Sequence, residues 1–83
     1  MLRIRSTVTE ETLLTVSGHM NSTNLIELKN LIDTETTVRP MALDLKELIL
    51  VDREAVTFLK GCESKGIELR NCSAYIRQWI TRE

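Results

Sequence analysis

Asp52 and Glu54, two carboxylates two positions apart, follow the apolar run Leu48–Val51 and precede Ala55-Val56-Thr57-Phe58. Paired carboxylates at the mouth of a helix can do general acid/base work. Such work needs a second catalytic group and a cleft, and neither is apparent in 83 residues. No glycine-rich phosphate loop, His/Cys ligand cluster or nucleophile with a nearby base accompanies them. The bland role suits both residues. Asp52 as an N-cap satisfies an otherwise unpaired N–H, worth about 1 kcal/mol. Glu54 in the first turn gains roughly 0.3–1 kcal/mol from the helix dipole.

The other reactive side chains are sparse. Cys62 and Cys72 stand ten residues apart, which fits neither a CxxC redox pair nor a zinc knuckle, and reads as two free thiols. His19 is the only histidine, so zinc is not expected and no cofactor is implied. His19 itself reads as a loop residue after the second strand. Tyr75 and Trp79, one turn apart, could anchor a partner, although closing a small core is the commoner task of such a Trp. Arg70, Arg77 and Arg82 are interleaved with Glu68 and Glu83, the pattern of a mixed surface and not of a phosphate site.

Composition narrows the classes further. Eleven basic and twelve acidic side chains leave a net charge of −1, without the basic excess of a nucleic-acid binder. Hydrophobic content of 42% fits a globular domain. A domain of this size buries only about 60% of its extended surface, so most apolar residues must serve one core. No apolar run reaches the roughly 18 residues of a membrane span, and MLRIRSTV lacks the apolar core of a secretory signal. A single domain over residues 1–83, located in the cytoplasm, is the expectation.

The elements that must hold these residues follow from periodicity. Leu2, Ile4 and Val8 alternate as a first strand, and Leu14 and Val16 as a second that ends at Gly18 and pairs with it as a hairpin. Asn21-Ser22-Thr23-Asn24 is a helix-start cluster, with Asn24 and Glu27 at capping-box spacing. Leu25, Leu28, Leu31 and Ile32 form one helical stripe, which the Thr34–Thr37 region ends. Pro40 opens a third strand with Met41, Leu43 and Leu45 on one face and Ala42 and Asp44 on the other. Leu48–Val51 reads as a buried connection. A second helix from about Arg53 presents Ala55, Val56, Leu59 and Cys62 inward and ends at Gly66. Ile67 and Leu69 mark a fourth strand, and Ser73 caps a last helix with Ile76, Trp79 and Ile80 inward. The order ββαβαβα, with right-handed crossovers, predicts an α/β domain. Its mixed four-stranded sheet would carry the helices mainly on one face.

That order, with the motif LDL-x-x-L-x-x-x-D-x-x-A-x-x-x-L carried by Leu43-Asp44-Leu45, Leu48, Asp52, Ala55 and Leu59, resembles the STAS domain of sulfate transporters and anti-sigma factor antagonists. GHMNSTNLIELKNLI resembles that family's passage from strand two into helix one, and Ile67-Glu68-Leu69 with its short helix resembles the family's ending. The resemblance spans nearly the whole chain. It implies a non-catalytic docking module of a bacterial regulatory pathway, with a partner that is an anti-sigma factor or serine kinase, or else a transporter ATPase.

In the bacterial antagonists the loop before helix two carries Asp-Ser-Ser-Gly or a close variant, and a kinase phosphorylates the second hydroxyl residue. Here Asp52 matches the acidic position, Arg53 replaces the first small residue, Glu54 falls at the phosphorylated position and Ala55 replaces the glycine. A carboxylate cannot take up the phosphoryl group as a stable ester. It also supplies one charge where a phosphate supplies about −1.5 to −2. By resemblance the partner-binding residues are Asn21, Ser22, Asp52, Arg53, Glu54, Ala55, Thr57 and Phe58. The rival class is a small-molecule or nucleotide binder at the N-terminus of helix two, where Asp52 and Glu54 would repel an anion.

Overall fold

The computed structural model describes residues 2–35 and 39–82. The first two strands, β1 (Leu2–Val8) and β2 (Thr12–Met20), form the expected antiparallel hairpin, with Ile4 opposite Val16 and Ser6 opposite Leu14. β2 does not stop at Gly18. It runs on to Met20 through a register irregularity after Gly18, whose φ of 92° suits a residue without a Cβ. His19 therefore lies within the strand, exposed, and not in a loop.

Helix α1 (Leu25–Glu35) buries Leu25, Leu28 and Ile32, with Leu31 packed at the edge, as the 3.6-residue stripe requires. It ends at Glu35, and residues 36 and 37 of the expected terminating segment lie outside the described residues. Strand β3 (Met41–Asp44) follows Pro40, whose carbonyl accepts the Thr12 N–H at 2.9 Å. Pro40 thus contributes an acceptor at the one place where its missing donor costs nothing. β3 runs parallel to the first half of β2, and β5 (Glu68–Arg70) runs parallel to β3.

The segment read as a connection is a strand. β4 (Leu48–Val51) pairs in parallel with the far end of β2, so β3 and β4 lie one after the other along the same side of that long strand. Among the described residues the sheet therefore has five strands, not four, in the order β1-β2-β3-β5 with β4 also on β2. Gly18 pairs with Leu48 and His19 with Leu50, which leaves Ile49 as an extra residue in β4. The bulge explains the burial. Leu48 and Val51 are inside while the two consecutive residues Ile49 and Leu50 face out.

Helix α2 (Arg53–Ser64) buries Ala55, Val56, Leu59 and Cys62, as its spacing predicts. It closes in a Schellman turn. Gly66 takes φ 91°, its N–H donates to the Glu63 carbonyl at 3.1 Å, and the Ile67 N–H donates to the Cys62 carbonyl at 3.0 Å. Helix α3 (Ala74–Arg82) is capped by Ser73, whose Oγ accepts the Ile76 N–H at 3.3 Å. Ile76 and Ile80 are buried, and Trp79 packs half-exposed against exposed Tyr75 with ring centroids 6.1 Å apart. All three helices contribute to one core cluster with Leu14, Val16 and Leu43 of the sheet, so they share one face. Ala42, on the other face of β3 from Met41 and Leu43, is also buried. No helix among the described residues is long and apolar enough to cross a membrane.

Candidate functional site

Four of the sequence-selected residues converge where α1 and α2 begin. The extended backbone at Asp52 (φ −102°, ψ −179°) is that of an N-cap, and its Oδ1 accepts the Ala55 N–H at 2.9 Å. Its second oxygen, Oδ2, accepts the Ser22 N–H at 3.0 Å. One carboxylate thus caps its own helix and holds the backbone that leads into the other. The Asp52 N–H donates to the Met20 carbonyl at 3.2 Å, which fixes the end of β4 against the end of β2 directly beneath.

The start of α1 is built by asparagines, one turn earlier than the spacing Asn24–Glu27 suggested. Asn21 Oδ1 accepts the N–H groups of Thr23 (3.0 Å) and Asn24 (3.2 Å), and Asn24 Oδ1 accepts the Asn21 N–H at 2.9 Å. This is a reciprocal capping box with Asn in both places. Asn24 Nδ2 also donates to the His19 carbonyl at 3.0 Å, so the turn is tied to the end of β2. The bonds leave the Ser22 N–H as the donor that Asp52 satisfies.

Around this frame the side chains divide. Ser22, Arg53, Glu54 and Thr57 are exposed, and Asn21, Asp52 and Phe58 are half-buried. Ala55 is fully buried, so its methyl group serves the core and is not offered to a partner. Phe58 turns partly toward α1, with Lys29 Nζ 5.9 Å from its ring centroid. The residues that sequence reasoning missed are Ile49 and Leu50, about 65% and 51% exposed, just before Asp52. Their signal was hidden because an unbroken aliphatic run looks buried, and only a bulge puts two neighbours outside.

Elsewhere the polar groups serve structure. Asp44 at the end of β3 accepts the Lys46 N–H at 3.0 Å and the Asn71 side-chain amide at 3.1 Å, and these donors hold its carboxyl below the usual carboxylate range. Arg70 pairs with Glu11 at 2.8 Å and with Glu68, and Arg77 pairs with Glu63 at 2.9 Å, an arrangement of mixed surface charge. Cys62 and Cys72 are both free, and burial pushes the Cys62 thiol up to about 11. No group of three or more His, Cys, Asp or Glu placed to hold a metal occurs among the described residues.

No family model and no curated protein matches the chain.

Proposed function

We propose that this chain is a non-catalytic docking module resembling a STAS domain, and that its working surface is the joined start of α1 and α2. The observation that carries the reading is the double acceptance by Asp52. It ties Ser22 and Ala55 to one carboxylate and so presents Ser22, Arg53, Glu54 and Thr57 on one pinned frame. Beside that polar surface stand Ile49 and Leu50. An apolar patch with a polar rim is the usual anatomy of a protein interface. The side chains there offer contact and charge, with no nucleophile–base pair among them.

The partner classes that the resemblance implies are an anti-sigma factor with serine-kinase activity and a transporter ATPase, both met in the cytoplasm. With Glu54 at the position of the phosphorylated hydroxyl, docking here is not relieved by phosphorylation of that residue. Its charge is fixed in the first turn of α2, where it is also favourable to the helix.

Capture from native cell extract with tagged wild-type, Glu54→Ser and Ile49→Asp/Leu50→Asp baits tests the reading. The expected result is a stoichiometric kinase or ATPase on the wild-type bait, lost from the double variant and changed in amount on Glu54→Ser. Absence of any stoichiometric partner, or capture indifferent to all three substitutions, would reject it.

A further inference from the structure

β1 is an edge strand. It stands at the end of the sheet order and pairs only with β2, so one side of its seven-residue backbone is unpaired. No backbone hydrogen bond of Leu2–Val8 goes elsewhere among the described residues. A free edge of that length is a template for one kind of ligand, another extended chain.

The two faces of β1 meet different surroundings. On the helix face, Ile4 and Ser6 border a groove of about 450 Å³ whose other wall is Glu27, Asn30, Leu31 and Thr34 of α1. Ile4 and Leu31 are half-buried at the rim of the core, and Val8 in the same row as Ile4 is 50% exposed. A strand added beside β1 passes along α1 and lays every second side chain on this apolar strip, where Glu27 disfavours an acid. On the opposite face stand Arg3 and Arg5, across from Ser17 and Thr15. Both are exposed, and neither makes an ion pair or side-chain hydrogen bond among the described residues, whereas Arg70 and Arg77 are both paired. Glu47 is the acid beside them, so that face keeps an excess of one positive charge.

These charges decide the occupant. A second copy pairing antiparallel about a two-fold axis sets odd-numbered residues of β1 opposite odd-numbered ones. Every such register that overlaps most of β1 brings Arg5 directly opposite or diagonal to an arginine of the other copy, and like charges so placed are destabilising. The same arginines are complementary to acidic side chains. We propose that β1 takes up an extended segment of another protein as an added strand, one in which aliphatic residues alternate with Glu or Asp. Its aliphatic side chains lie toward α1, its carboxylates toward Arg3 and Arg5, and its backbone completes the ladder. This assignment is independent of the docking surface at Asp52.

The probe is a capped peptide of alternating Glu and Val, EVEVEVE, read by amide shifts and hydrogen exchange of the nitrogen-15-labelled full chain. Saturable shifts along Leu2–Val8 and at Leu31 are expected, with alternate amides of β1 gaining protection. A fully N-methylated version keeps the charges, loses every backbone donor and should not bind. The peptide KVKVKVK should bind about fivefold more weakly or worse, the scale of two exposed charge pairs, and Arg3→Gln/Arg5→Gln should erase that difference. The N-methylated peptide on wild type decides alone if the arginine variant does not fold. Absence of shifts on wild type, equal binding of the N-methylated peptide, or equal binding of the two charge forms would overturn the proposal. So would a wild-type dimer in sedimentation whose β1 amides are already protected, because a second copy would then be the occupant.

Discussion

Asp52 and Ser22, thirty positions apart, are joined by a hydrogen bond of 3.0 Å from the Ser22 N–H to Asp52 Oδ2. The other oxygen of the same carboxylate caps α2 at Ala55. Asp52→Ala removes both acceptors and should cost about 1.5–2.5 kcal/mol, the sum of a lost N-cap of about 1 kcal/mol and a lost, exposed hydrogen bond of about 0.5–1.5 kcal/mol. Asp52→Asn keeps one acceptor for Ala55 and turns a donor toward Ser22, so about half that loss is expected. Urea unfolding of the three proteins ranks them. An Asn variant as stable as wild type would mean that the Ser22 bond contributes nothing.

Thr12 carries the opposite lesson. Its side chain is fully buried at the start of β2, and its hydroxyl finds no hydrogen-bond partner among the described residues. A buried, unpaired polar group costs about 1–3 kcal/mol. Thr12→Val preserves shape and β-branching while removing the hydroxyl, and should stabilise the domain by about 1 kcal/mol. For a domain of this size that is a rise in Tm of about 4–8 °C, readable by calorimetry.

The helices were legible because their stripes repeat at 3.6 residues, and Leu28, Ile32, Val56, Leu59, Ile76 and Ile80 are all buried where that period places them. Asp52 as a cap was legible for the same local reason. The start of α1 was ambiguous, since Asn21–Asn24 and Asn24–Glu27 have the same spacing, and the bond from Asn24 to the His19 carbonyl favours the earlier box. β4 escaped because Leu48–Val51 lacks alternation, which the bulge at Ile49 removes. The Asp52–Ser22 bond joins residues thirty positions apart, and no local pattern encodes it.

Acid should reveal Asp44. The Lys46 N–H and the Asn71 amide favour its ionised form, so its folded pKa lies below the unfolded value. A depressed pKa means that the stabilisation is complete above the unfolded value and is lost as pH falls through the folded one. The stability gap between wild type and Asp44→Ala should therefore be constant from neutral pH down to about 4, near the ordinary carboxylate pKa, and shrink below it. Denaturant melts across that range measure the gap. A gap that stays constant below this range would show that Asp44 acts only through packing.

The two thiols should separate by accessibility. Cys62 is buried against the core, with its pKa pushed up to about 11, so about one molecule in ten thousand carries the thiolate at neutral pH. Cys72 is half-exposed, with a smaller desolvation effect in the same direction. Timed alkylation followed by peptide mass spectrometry should label Cys72 first and Cys62 only when the domain opens. Gly61 directly precedes Cys62 within α2 and has room for a Cβ, so Gly61→Ala adds an independent check. That substitution should strengthen α2 by about 0.5–1 kcal/mol and slow Cys62 labelling further, leaving Cys72 unchanged. Cys62 labelling as fast as Cys72 in the native protein would mean that α2 is not packed over the core in solution.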